Sequence, residues 1–228
     1  MSEAAGRVLV IVPAAGSGSR FGGDVPKQFR TLAGKPLLQH ALERFLLDEQ
    51  VSRIIVPIAE GLVSTVEPMA RVQFVAGGAT RHQSVALGLA AAGEDAGDVV
   101  AIHDAVRPFF SSETFHAAVA AAREHGAAFP ALPVADTIHV LDGDKVVMTP
   151  DRRFLFAAQT PQCFRADVLR EVLARAAREG DDASDEAGLA AKYGFDVRAV
   201  PGDPLNFKIT RAEDLAIAER VIEWRATD

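Results

Sequence analysis

"VLVIVPAAGSGSRFGGDVPKQF", Val8 to Phe29, joins a short apolar run to a glycine-rich segment carrying two cations, Arg20 and Lys27. Val8–Val12 is aliphatic and mostly β-branched, which predicts a buried strand. The Pro13–Phe29 segment that follows is long for a strand-to-helix connection, where about 2–6 residues are usual, and long loops in compact domains tend to be functional. In parallel sheets ligands sit beyond the carboxyl ends of strands, which is where this loop falls. Gly16, Gly18, Gly22 and Gly23 let backbone N–H groups approach an anion. Two familiar phosphate patterns fail. The dinucleotide pattern would need a glycine where Phe21 stands, and the P-loop pattern would need Lys where Asp24 follows Gly23. What remains is A-A-G-x-G-x-R-F-x(5)-K, a loop that ends in cations.

Outward from this loop, Arg53–Ile58, Val72–Val75, Val99–Ile102 and Ala127–Leu132 are further predicted strands. Helical spacing links Leu37, Leu38, Ala41, Leu42, Phe45 and Leu46, then Val85, Leu87, Leu89 and Ala92, then Phe115, Ala118, Val119 and Ala122. Capping boxes are expected at Thr80/Gln83 and Thr210/Glu213. This alternation predicts an α/β, Rossmann-like, mainly parallel twisted sheet with helices on both faces. Residues 1–228 are expected to form one domain. One segment departs from the rhythm: Pro133–Arg153 holds an Asp142-Gly143 turn between two β-prone runs and has few large apolar residues. Two readings are open for it, an arm reaching to a second subunit or a surface hairpin.

The 228 residues are 49% hydrophobic with net charge −7. That balance argues against a general nucleic-acid or membrane binder, so an anionic ligand must be held by clustered cations. A single cysteine, Cys163, excludes an internal disulfide and reads as a packing residue. No leader peptide and no membrane span are expected, which makes the cytoplasm the default location.

The other candidates fall at strand ends. "GGATRHQSV" (Gly77–Val85) opens a helix whose N-terminus suits a base, ribose or phosphate. "IHDAVRPF" (Ile102–Phe110) sets Asp104 just past a buried run, a costly place for a carboxylate unless it meets a metal or a cation such as Arg107. "DDASDEA" (Asp181–Ala187) reads as a solvated helix start with Asp182 as cap, and "NFKIT" puts Lys208 inside an apolar pair. Separated cations (Arg20, Lys27, Arg81, Arg107, Arg152, Lys208) with one candidate metal carboxylate suit phosphoryl or nucleotidyl transfer. The six histidines show no ligand spacing.

Seven motifs in order, "PAAGSGSRFGGDVPKQF", "GGATRHQSV", "HDAVRP", "PVADTI", "QTPQCF", "SDEA" and "NFKIT", resemble the 2-C-methyl-D-erythritol 4-phosphate cytidylyltransferase family. The resemblance runs from about Val8 to Ile222. It implies transfer of CMP from CTP to methylerythritol phosphate with Mg²⁺, in the non-mevalonate route to isoprenoid precursors. It further implies catalytic roles for Arg20, Lys27 and Lys208, and a nucleotide site at Ala14, Ala15, Gly16, Gly78, Arg81 and Ser84. On the acceptor side it implies Asp104, Arg107, Thr137, Arg152, Thr160 and Ser184, with Asp104 also a candidate metal ligand. It implies a homodimer through the arm at 133–153, Arg152 being delivered to the second subunit. Backbone groups around Ala14 and Gly78 are expected to tell cytosine from uracil. Ser184 stands where the family's threonine is expected, and no cyclase domain is expected after Asp228. "HDAVRPF" also occurs in ribitol 5-phosphate cytidylyltransferase relatives, so another polyol phosphate remains an alternative acceptor. A non-catalytic nucleotide-binding module is the more distant alternative.

Overall fold

The computed structural model describes residues 7–16, 26–181 and 184–225. The first strand, β1 (Val8–Ile11), lies at the centre of the sheet, buried at every position. A tight β2–β3 ribbon (Thr31–Leu32, Lys35–Pro36) leads into α1 (Leu37–Leu46). Then follow β4 (Val51–Ile58), β5 (Val72–Ala76), α2 (Arg81–Ala92), β6 (Val99–Ile102), α3 (Ser112–His125) and β7 (Ala127–Pro133). After a separate hairpin, β8 (Val140–Asp142) and β9 (Lys145–Met148), the chain returns through β10 (Phe156–Ala158), β11 (Gln162–Arg165), α4 (Ala166–Glu179), α5 (Glu186–Lys192), β12 (Val197–Pro201) and α6 (Ala212–Arg225).

The main sheet runs β10-β7-β11-β6-β1-β4-β5, with β12 also on β7. β1 pairs in parallel with both β4 and β6, so the chain winds outward in opposite directions from β1 and leaves a crevice at its carboxyl end. β11 is antiparallel to both neighbours, β6 and β7. That reversal brings its amino end, preceded by Gln159 and Thr160, to the rim where β1 and β6 end.

Strand alternation sorts the core into two layers. Val8, Val10 and Val12 face α1 and α3, packing with Leu38, Leu42, Phe45, Phe115 and Val119. Leu9 and Ile11 face α2, α4 and α5, packing with Val85, Leu89, Leu169, Val172 and Leu189. A third cluster, Leu32, Leu37, Val106, Phe109, Ile209, Ala218 and Val221, fastens α6 and the segment before it beside the crevice. Cys163 lies within the first layer, where burial pushes its thiol up, as suits a packing residue.

Three local expectations are corrected. Leu87 points outward, because it is Gly88 that lets α2 lie on Ile11 and Pro57. The start of α6 is not held by Glu213: the Asp214 carboxylate accepts from the Thr210 and Arg211 N–H groups and the Thr210 hydroxyl. The cap of α5 is Asp185, accepting from Gly188 N–H at 2.8 Å, and Asp182 lies outside the described residues. The Thr80/Gln83 capping box is present as expected.

Gly97 turns the chain into β6 at φ +71°, and a Cβ there would collide with the Arg7 carbonyl. Gly143 at the hairpin tip has φ +62° with open space around it. Gly143→Ala should therefore cost only the left-handed backbone penalty, about 1 kcal/mol. Gly97→Ala should cost clearly more, since a backbone clash adds to the same penalty. Urea unfolding of the two variants checks the difference, and equal losses would contradict it.

Candidate active site

The crevice is a cleft of about 330 Å³. Ala14, Ala15, Gly16, Lys27, Gly78, Arg81, Ser84, Asp104 and Lys208 line it. A second cleft of about 250 Å³ adjoins it, sharing Arg81, Asp104 and Lys208 and adding Arg107, Thr160 and Ser184. The sheet thus gathers residues from six separate motifs. Lys27 and Lys208, far apart in the chain, line the same cavity. Thr137 and Arg152 line neither cleft: both are exposed on the arm segment, Arg152 donating to the Ala135 carbonyl at 2.7 Å. Arg20 lies outside the described residues.

Asp104 is the electrostatic centre. Its Oδ1 accepts from Arg81 Nε at 3.3 Å; its Oδ2 faces Arg107 Nε at 3.3 Å and Lys208 Nζ at 2.9 Å. Burial alone would raise its pKa, but Arg81, Lys208 and Arg107 together outweigh this and hold it far below the usual carboxylate range. The expected partnership with Arg107 is one of three. Arg107 is fixed from its other end by the Asn206 carbonyl, 2.7 Å from Nη1.

Arg81 is shared. Its Nη1 donates to Glu186 at 2.5 Å, and Glu186 is fully buried, with His82 Nδ1 at 3.2 Å from its other oxygen. Burial acts to lower the Arg81 pKa, but the two carboxylates more than reverse it. Burial acts to raise that of Glu186, and His82 and Arg81 bring it below the ordinary value. The helix start read as solvated therefore plants a carboxylate in the interior. The signal was present: Glu186 shares a helical face with Leu189 and Ala190, both buried.

Sequence reasoning missed three other supporting side chains. Gln28, 4% exposed, donates to the carbonyls of Ala14 and Gly16 at 2.6 and 2.9 Å, tying the two ends of the loop together. Gln162 donates to Asp185 and accepts from Ala187 N–H, attaching α5 to β11. His103, fully buried between Phe45 and Phe110, lies 3.0 Å from the Thr160 hydroxyl and 2.9 Å from the Arg107 carbonyl. Burial, its largest influence, lowers its pKa to about 4. Only its place at the end of a buried strand marked it in the sequence.

The expected readers of the base are largely engaged within the protein. Ala14 N–H donates to Pro57 at 2.7 Å, and Gly78 N–H to Ser84 Oγ at 3.1 Å. Ser84 is itself buried and donates to Thr80, so its hydroxyl shapes the Gly78 turn.

The arrangement is a cation-lined cleft at a topological switch point with a second cleft beside it. The sequence profile of the 2-C-methyl-D-erythritol 4-phosphate cytidylyltransferase family, IspD, matches residues 8–224. The protein of that name from Acidobacterium capsulatum is 38% identical over 97% of this chain and 99% of its own length. The bifunctional enzyme IspD/IspF of Rhodopseudomonas palustris is 42% identical over 93% of the chain, which spans about half, 55%, of that relative. The crystal structure of the Thermus thermophilus cytidylyltransferase covers 96% of this chain and 98% of its own, at TM-score 0.79 and 36% identity. The chain belongs to the 2-C-methyl-D-erythritol 4-phosphate cytidylyltransferase family.

Proposed function

We propose that this rim transfers CMP from CTP to 2-C-methyl-D-erythritol 4-phosphate, giving 4-diphosphocytidyl-2-C-methyl-D-erythritol and pyrophosphate. The observation that carries it is the convergence of Lys27, Arg81, Asp104 and Lys208 on one cleft continuous with a second one holding Thr160 and Ser184. CTP occupies the first, against Ala14–Gly16 and Gly78, and the acceptor the second. The attacking oxygen belongs to a phosphate monoester, already anionic at neutral pH, so no general base is needed. The new bond joins that oxygen to the α-phosphorus as the bond to the β-phosphate oxygen breaks. Bringing the two anions together is the barrier. Lys27 and Lys208 lower it by neutralising charge as the α-phosphorus becomes five-coordinate.

Mg²⁺ is the cofactor we propose. Among the described residues no group of three or more His, Cys, Asp or Glu could hold a metal ion, and Asp104 is the only carboxylate lining the first cleft. That donor set fits an ion carried mainly by triphosphate oxygens, with Asp104 as the protein's contribution. Bound there, the ion would offset negative charge on the departing pyrophosphate.

The hairpin completes the reading. β8 and β9 pair only with each other, and Leu141, Val146, Val147 and Met148 are each half exposed, with Phe154 79% exposed beside them. A monomer rarely leaves such a row to water. We assign it to a homodimer in which the arm carries Thr137 and Arg152 to the partner's acceptor cleft. No helix among the described residues is long and apolar enough to cross a membrane, and a cytoplasmic location is proposed.

Pyrophosphate release measured with CTP or UTP, against methylerythritol 4-phosphate or ribitol 5-phosphate, tests the function. Turnover only with CTP and methylerythritol phosphate is expected; turnover only with ribitol 5-phosphate would replace the acceptor. Lys208→Met should lower kcat about a hundredfold or more. The same variant makes a prediction for stability. A carboxyl whose folded pKa is depressed stabilises the fold above its unfolded value, near 3.9, and loses that contribution as pH falls. Removing Lys208 reduces the depression, so the variant should be less stable than wild type at pH 7, with the gap narrowing below about pH 4. Acid titration of urea stability reads this, and a gap that widens on acidification would contradict it. Finally, mixing inactive Arg152→Ala with inactive Lys208→Met should regenerate activity, up to roughly a quarter of wild type, since a heterodimer assembles one intact site. No recovery after subunit exchange would place Arg152 outside the partner's site.

A further inference from the structure

The segment around Thr160 holds a chain of hydrogen bonds whose direction can be deduced. His103 Nε2 lies 2.9 Å from the Arg107 carbonyl oxygen, which can only accept, so Nε2 carries the ring proton. The ring is fully buried and its nitrogens face a carbonyl and a hydroxyl, neither of them charged, so it holds one proton; Nδ1 is then an acceptor, and the Thr160 hydroxyl, 3.0 Å away, must donate its single proton to it. Thr160 Oγ1 also accepts from the Asp104 N–H at 3.1 Å. One lone pair is left.

We infer that His103 is a positioning residue that fixes the Thr160 hydroxyl as an acceptor toward the ligand, so that Thr160 recognises a hydrogen-bond-donating hydroxyl of the acceptor polyol and not a phosphate oxygen. This rests on the reading of the second cleft as the acceptor site, which Thr160 lines together with Arg107, Asp104 and Lys208. The division of labour is chemical. The cations there take phosphate oxygens, which only accept, whereas a Thr160 whose proton is committed to His103 presents only a lone pair and would repel them. The same ring holds the backbone at both ends of the Asp104–Arg107 turn, through Thr160 on one side and the Arg107 carbonyl on the other. Its enclosure by Phe45 and Phe110, at centroid distances of 5.2 and 4.7 Å, leaves it no second orientation in the packed core.

Two measurements test this. Nitrogen-15 NMR of the wild-type protein at pH 7 should show the His103 ring neutral, with Nε2 protonated and Nδ1 bare. A protonated Nδ1 overturns the inference whatever the acceptor proves to be. The second is a set of methylerythritol 4-phosphate analogues with each hydroxyl replaced in turn by hydrogen or by fluorine, which accepts but does not donate. At one position both replacements should cost wild type about tenfold in kcat/KM, and Thr160→Val should make them indifferent there. Thr160→Val should also raise KM for the acceptor while leaving KM for CTP unchanged. A fluorine analogue that performs like the parent at the position sensitive to hydrogen would show Thr160 donating, and would overturn it. A Thr160→Val that alters only thermal stability, with the analogue pattern intact, would do so too. Absence of turnover with any polyol phosphate would instead remove the proposed acceptor and leave the ring's proton assignment standing.

Discussion

A carboxylate taken out of water beside three cations is the constraint on which the rest of the site turns. Alone, Asp104 at its depth would be too costly to keep ionised. Surrounded by Arg81, Arg107 and Lys208 it is held charged, and it draws those three side chains toward one another before any ligand arrives. Without it, three positive groups within a few ångströms would separate. The arrangement therefore costs little further ordering when a polyanion enters, because the positive charge is already assembled. Two carboxylates, Asp104 and Glu186, face three cations, so the cluster retains net positive charge.

The fold supplies this assembly through strand direction. β1 and β6 run parallel and release Ala14–Gly16 and Asp104 at the same edge. α2 begins at that edge with Arg81, and Lys208 arrives in the segment between β12 and α6. The antiparallel β11 contributes its opposite end, placing Thr160 beside Asp104 where a parallel strand would have presented Arg165. Arg81 then links α2 to α5 through Glu186, while Gln162 binds the same helix to β11. The walls of the two clefts thus share side chains, and neither can shift without moving the other.

What was legible in the sequence divides along physical lines. The β-branched runs, helical spacings and the Thr80 capping box are local signals, and they emerge in the structure with small changes of boundary. The candidate cations were legible because a charged residue at a strand end or inside an apolar pair is costly, as Lys208 between Phe207 and Ile209 shows. Short strands with mixed composition were not. β11 and β12 were not among the expected strands; both are fixed by pairing with β7, a partner distant in sequence. Supporting residues were hidden for the same reason. Gln28, His103 and Glu186 gain their meaning from atoms brought near only by the complete sheet. The Ser184-Asp185-Glu186 run misled because an acidic sequence suggests solvent, whereas its helical phase points Glu186 inward.

The distribution of charge also explains how an acidic protein could serve the two anionic reactants proposed for it. At net charge −7 its overall field opposes them. At distances beyond roughly 8 Å in physiological salt that field is largely screened, whereas the cluster inside the cleft acts at contact range in a medium of lower polarity. The negative surface limits non-specific attraction of other polyanions such as nucleic acids, and the cleft admits only what fits between the Ala14–Gly16 wall and Asp104. Affinity is thereby confined to the place where geometry can select among anions, and a uniformly basic surface would have forfeited that selection.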